Sequence, residues 1–244
     1  MEQYILHLAD NNLIIAQRNS EWCAHGPILE QDIAITNITL DQIGQARLFY
    51  KHAADLLNAK NGNSKESEDS LAYLRNEREF KNLLMLELPK GNWAFTVLRQ
   101  YLFSSFQFVL YTELLKSTDK QTSAIAEKSL KEITYHVKWS GEWVLRLGDG
   151  TQESHEKAQN ALNQLWAYTG EFFDVEDYEN INNIDLIKKH WLEKVTPLLH
   201  EATLIIPENT FMQKGGKKGL HTEYLGFMLA EMQTLQRSYP GAEW

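Results

Sequence analysis

Leu130-Lys131-Glu132-Ile133-Thr134-Tyr135-His136-Val137-Lys138-Trp139-Ser140-Gly141-Glu142-Trp143-Val144-Leu145-Arg146-Leu147 places a core-compatible side chain at every third or fourth position: Leu130, Ile133, Val137, Ser140, Val144 and Leu147. That step is the seam of a helix packed in an antiparallel bundle. Upstream, Thr118 or Asp119 supplies an oxygen to cap the helix; downstream, Gly148-Asp149-Gly150 ends it. Trp93 to Leu115, just before it, is apolar on most faces and is expected to be a central helix. Further toward the N-terminus the same periodicity predicts helices over Tyr4 to Trp22, Ile28 to about Leu57, and Leu71 to Leu88. They are separated by Cys23-Ala24-His25-Gly26-Pro27 and by the polar stretch 58–70, which is expected to be an exposed loop and the segment most prone to disorder. Toward the C-terminus, helices are expected over Glu153 to Phe172, Ile184 to Leu199 and Thr222 to Ser238, with an acidic bend from Asp174 to Asn183. The fold class is all-α: a four-helix bundle with additional helices, favoured over a solenoid or a globin-like fold.

Five prolines and thirteen glycines in 244 residues punctuate these helices, and no composition shift marks a second domain. One domain over residues 1–244 is expected, burying about 70–75% of the extended chain's surface. The single Cys23 excludes an internal disulfide framework, and Met1-Glu2-Gln3-Tyr4 lacks the basic and apolar regions of a secretory signal. A cytoplasmic location follows as an expectation. No apolar run approaches the roughly 20 residues of a membrane span. A net charge of −9 argues against nucleic acid as a partner.

The most distinctive stretch is Gly215-Gly216-Lys217-Lys218-Gly219-Leu220-His221-Thr222-Glu223-Tyr224-Leu225-Gly226, running on to Pro240-Gly241-Ala242-Glu243-Trp244. With Gly44-Gln45-Ala46-Arg47 and Lys131-Glu132-Ile133-Thr134-Tyr135-His136, it resembles the C subunits of bacterial phenylacetyl-CoA epoxidases. The similarity also takes in Ala9-Asp10-Asn11, Glu21-Trp22-Cys23, Leu71-Ala72-Tyr73 and Asn82-Leu83-Leu84. This resemblance implies a ferritin-like bundle in a cytosolic complex that epoxidises the ring of phenylacetyl-CoA in aerobic phenylacetate degradation. It implies a ferritin-like catalytic partner that holds the di-iron centre and binds most of the substrate. It also implies a small third subunit and a reductase that uses flavin, iron-sulfur and NADPH. The present chain would carry no cofactor, would pair with the catalytic subunit and stabilise it, and when isolated would be open to pairing with a second copy of itself.

Di-iron bundles take a Glu from each of two helices and a Glu-x-x-His pair from each of the other two, because residues three apart share a helical face. Three residues before His136 stands Ile133, which cannot bind iron. Glu132 is rotated from that position by roughly 100° and is better spaced for a hydrogen bond to His136 along one helix. By the resemblance, Asp41 occupies a carboxylate place on the second helix and Gly44 stands where the His should be. Asp41, sharing a face with Asn37, Gly44 and Leu48, is expected to pair structurally with Asn37 or with a cation such as Arg47. Neither helix completes the motif. An altered di-iron or manganese shell of Glu132, His136 and Asp41 is the alternative enzymatic reading.

Other patterns offer less. His155-Glu156 is followed by Gln159 and His200-Glu201 by Leu204, so neither is a His-Glu-x-x-His zinc motif. His25 and His221 flank turns and are expected to cap or be solvated, and Cys23 is expected to be a small buried side chain. Gly215 to Gly219 concentrates amides and positive charge before a helix, so it suits an anion. It is not a Walker loop, since Phe211 falls at the required first glycine. Lys217 and Lys218 are read as docking contacts for a partner subunit, with contacts to CoA phosphates, or a stand-alone acyl-CoA module, as alternatives. Trp93, Phe95, Tyr101, Phe103, Phe106, Phe108 and Tyr111 crowd one helix, and some are expected to face another chain.

Overall fold

The seam helix begins where Asp119 accepts the amides of Gln121 and Thr122, and runs as α6 over Lys120–Gly148. A computed structural model describes residues 1–244 except 63, 64, 180, 182, 241, 243 and 244. Parts of the 58–70 loop, the acidic bend and the terminal Pro-Gly-Ala-Glu-Trp stretch therefore lie outside the described residues. Every element among the described residues is helical. Four long helices form the bundle: α1 (Glu2–Ser20), α2 (Leu29–Asn61), α5 (Trp93–Leu114) and α6. Short turns make α1 and α2 one hairpin and α5 and α6 another.

Side-chain pairs fix how the hairpins meet. Asn12 bonds Tyr111 and Asn19 bonds Gln100, so α1 and α5 run in opposite directions. Gln45 bonds Glu132 and Gln31 bonds Trp139, so α2 and α6 do too. The chain must therefore travel the length of the bundle between α2 and α5, the single long crossover of ferritin-like folds.

That crossover departs from expectation. Instead of one helix from Leu71 to Leu88 there are α3 (Glu68–Tyr73), a 3₁₀ turn at Glu77–Glu79 and α4 (Leu84–Glu87). Its amides are taken by side chains elsewhere: Lys81 N–H donates to Asp10, Leu83 N–H to Asn11 and Leu84 N–H to Glu171. An amide bonded to another element cannot close a helical turn. Asp10, fully buried, also accepts from the Tyr50 hydroxyl at 2.6 Å and from the Arg75 guanidinium. At the other side of the 58–70 stretch, α2 continues to Asn61, and the Asn58 side chain bonds both backbone groups of Glu66.

Five of the seven aromatic side chains singled out on α5 are buried within the chain, which leaves the half-buried Trp93 and Phe108 as those open to another chain. Phe95, Tyr101, Phe103, Phe106 and Tyr111 are buried. Phe172, from a 3₁₀ segment over Thr169–Phe173, stacks on Phe106 and meets Phe103 and Trp191 edge-on. Trp191 belongs to α8 (Ile184–Glu201) and donates its indole N–H to Leu102 O. The expected helix over Glu153 to Phe172 is α7 (Gln152–Trp166) followed by that segment. The last helix, α9 (Glu223–Ser238), clasps the crossover: Gln233 and Arg237 both donate to Arg75 O. Among the described residues no helix is long and apolar enough to cross a membrane.

Candidate functional site

The centre of the bundle is polar. Seam spacing on α2 turns Ile35, Ile38, Gln42, Gln45 and Phe49 inward, and all are buried. Gln42 and Gln45 are thus the inward pair three residues apart. Gly44 is exposed, with nothing within 4 Å of where a Cβ would stand, and Asp41 is only partly covered. The ligand register expected at Asp41 and Gly44 is therefore wrong by one residue: the motif positions point to the rim. On α6 the inward pair is Ile133 and His136, both fully buried.

These side chains join others from α1 and α5. Asn19 donates to Gln42 Oε1 at 3.0 Å and to Gln100 Oε1 at 2.7 Å, and Gln100 donates to the Ser104 hydroxyl at 2.7 Å. A turn away, Gln107 donates to Asn12 Oδ1 at 2.9 Å, and Asn12 donates to the Tyr111 hydroxyl at 2.9 Å. Burial, with a smaller contribution from the charge of Glu132, pushes the Tyr111 phenol up to about 12, so it stays protonated. Glu132 accepts from Gln45 Nε2 at 2.8 Å, and His136 Nε2 bonds Asp41 Oδ2 at 3.0 Å. Neither expected pairing is found: Glu132 does not bond His136, and the partner of Asp41 is His136 rather than Asn37 or Arg47. Four helices thus converge on amides, hydroxyls, one imidazole and, toward the rim, the two carboxylates of Glu132 and Asp41.

Where a di-iron bundle needs four carboxylates and two imidazoles, α1 and α5 offer Asn and Gln, α2 offers Gln twice, and α6 offers Ile with one His. A carboxamide brings no negative charge to balance iron, and its N–H₂ group turns a donor inward. Among the described residues no three His, Cys, Asp or Glu side chains stand together as a metal-binding group. The residues present do not fit a di-iron centre.

The glycine-lysine segment does cradle an anion, and the anion is internal. Gly215 and Gly216 N–H each donate to Glu171 Oε1 at 2.8 Å, while Leu84 N–H holds Oε2 at 2.7 Å. Burial raises the Glu171 carboxyl above its usual range, against the pull of these amides and of Lys217. Lys217 is 2% exposed, its ammonium bonded to both oxygens of Glu179 and to Asp174 O. It is out of reach of a partner or a phosphate, which corrects its reading as a docking contact. Lys218 remains exposed and pairs with Glu176 at 3.2 Å.

His221 is also corrected. It is no solvated cap: its ring nitrogens meet Glu87 Oε2 at 2.9 Å and Phe80 O at 3.0 Å, and its side chain is fully covered. His25 is exposed and bonds Cys23 O within its turn. Cys23 is a free, exposed thiol rather than a buried side chain, because the turn carries it away from the bundle.

Asn12, Asn19, Gln100 and Gln107 were missed from sequence. The signal was there: each occupies a seam position in a helix otherwise rich in apolar residues, where an amide must find partners inside.

Known proteins resemble this chain along its whole length. A relative, the C subunit of the 1,2-phenylacetyl-CoA epoxidase of Escherichia coli (strain K12), is 45% identical over 248 residues, covering 99% of this chain and 98% of that protein. The family of phenylacetic acid catabolic proteins matches residues 1–244, end to end. With a helical bundle of one long crossover and full-length similarity, the chain belongs to the phenylacetic acid catabolic protein family.

Proposed function

We propose that this chain is the non-catalytic bundle subunit of a phenylacetyl-CoA epoxidase, pairing with a di-iron chain of similar fold and stabilising it. The amide layer carries the reading. Four helices present the geometry of a di-iron bundle, and the inward positions hold Gln42, Gln45, Gln100 and Asn19. A neutral layer keeps the helices in register without assembling charge at the centre. The likeness to the C subunit of an epoxidase supplies the substrate class, phenylacetyl-CoA. Dioxygen activation, the reductase with its flavin and iron-sulfur groups, and most of the substrate contacts belong in this reading to the other subunits.

The stand-alone acyl-CoA module loses its support with the burial of Lys217. The test is co-expression with the neighbouring genes of its operon, followed by affinity purification on a tag carried by this chain. The expected result is a stable complex with a larger iron-containing chain whose thermal midpoint falls when this chain is removed. Recovery of this chain alone, with the iron protein equally stable without it, would refute the reading.

A further inference from the structure

Arg99, on α5, is a cation with 0% exposure. Its Nη1 donates to Leu88 O at 2.7 Å and to Pro89 O at 3.4 Å, fastening the end of the crossover to the bundle. Its guanidinium carbon stands 5.8 Å from the centre of the Phe95 ring. Nε and Nη2 are just as enclosed, and among the described residues neither has an acceptor. Burial and then the neighbouring Arg18 guanidinium push the Arg99 pKa down to about 9, while Glu21 pulls the other way, so at neutral pH the group is still an ion. Glu21 is already engaged, since its Oε1 accepts from Arg18 Nη1 at 2.7 Å. Lys90 brings another cation to the same corner, its Nζ donating to Glu21 O at 2.9 Å. Three positive side chains thus gather around one carboxylate, in a protein whose net charge is −9. A carbonyl offers a dipole but no countercharge, and a buried ion with neither a partner charge nor filled hydrogen bonds is costly.

We propose that Arg99 holds a small inorganic anion, chloride in ordinary buffers, against its Nε and Nη2. These two nitrogens form one edge of the guanidinium, where their N–H bonds run side by side as the fork that grips an anion with two parallel hydrogen bonds. One negative charge at that edge leaves Arg18 and Arg99 matched by Glu21 and the anion. Water would meet the same donors and leave the charge unmatched. Complete burial sets the size of the ligand: a monatomic ion can be enclosed, whereas a phosphate ester or an organic carboxylate needs an opening for the rest of its body. The anion site then ties together α1 through Arg18, the crossover through Leu88 and Pro89, and α5, at the corner where the chain re-enters the bundle.

Two measurements on the full chain test this. In the first, thermal midpoints are read along a sodium chloride series held at constant ionic strength with sodium gluconate, whose anion is too large to be enclosed. The midpoint should climb with the logarithm of the chloride concentration, by a few degrees at about a hundredfold excess over the dissociation constant. Arg99→Met, which fills the space without a charge, should lose that dependence. The second keeps the test open should the variant fail to fold: crystals of the unaltered chain grown in sodium bromide should show an anomalous peak within hydrogen-bonding reach of Arg99 Nε and Nη2. A midpoint indifferent to the exchange of chloride for gluconate, an Arg99→Met chain that keeps the full chloride response, or bromide crystals with only water at that edge would overturn the proposal.

Discussion

His221 donates to two acceptors at once, the Glu87 carboxylate and Phe80 O, and a ring with both nitrogens donating is an imidazolium. Burial works against that charge, but the hydrogen bond to Glu87 and its negative charge more than offset it, so the His221 pKa is raised above 6.5. The folded value exceeds the unfolded one; the stabilisation is therefore complete below about pH 6.5 and drains away as pH rises through the folded value. His221→Gln is predicted to cost about 1–3 kcal/mol at pH 6 and clearly less at pH 9, read from urea unfolding at the two pH values. An equal cost at both would mean that the charge contributes nothing. Ile133 offers a second residue-scale test. Ile133→Val should cost about 1 kcal/mol as a small cavity, whereas Ile133→Glu should cost several, because a carboxylate placed there would be fully buried. If Ile133→Glu were instead tolerated and drew in iron, the interior would be more accommodating than its amides suggest.

At the scale of elements, the C-terminal segment before α9 behaves as a plug. Glu171 is gripped by three backbone amides, and Lys217 is locked to Glu179. Lys217→Ala would leave Glu179 buried with only the Glu176 amide and the His7 ring beside it, for an expected loss of about 3 kcal/mol. Lys218→Ala, removing an exposed pair, should change stability by less than about 0.5 kcal/mol. A thermal unfolding comparison separates them, and similar small effects would mean that Lys217 is more solvated than its burial indicates. Gly216→Ala should be at least as damaging as the Lys217 change, since its Cβ would sit 2.1 Å from Asn82 O.

Element positions were readable where one rule governs. The seam of α6, the cap at Asp119 and the ends of α5 and α8 follow from periodicity and capping. The crossover was not, because its amides bond to Asp10, Asn11 and Glu171, up to 87 residues away, and local pattern carries no trace of such partners. The same limit hid Lys217, whose chemistry in sequence is that of any surface lysine. The slip from Gln42 and Gln45 to Asp41 and Gly44 has a different origin: a motif likeness outweighed the inward spacing of Ile35, Ile38, Gln42, Gln45 and Phe49, which was legible throughout.

The whole molecule is a bundle whose middle is fastened by amides and whose α1 is clasped on its other side by the crossover, itself held by α9. Such a body is rigid, and what it offers to another chain is its surface. In the proposed division of labour, this interior does not carry the epoxidase's iron. Quantitative iron analysis, with Mössbauer spectroscopy on iron-enriched cells, of this chain purified alone and of the complex made by co-expression tests it most directly. The prediction is about a tenth of an iron or less per isolated chain, against a coupled iron pair in the complex that follows the partner on separation. A coupled pair of irons in the isolated chain, near two per polypeptide, would contradict it.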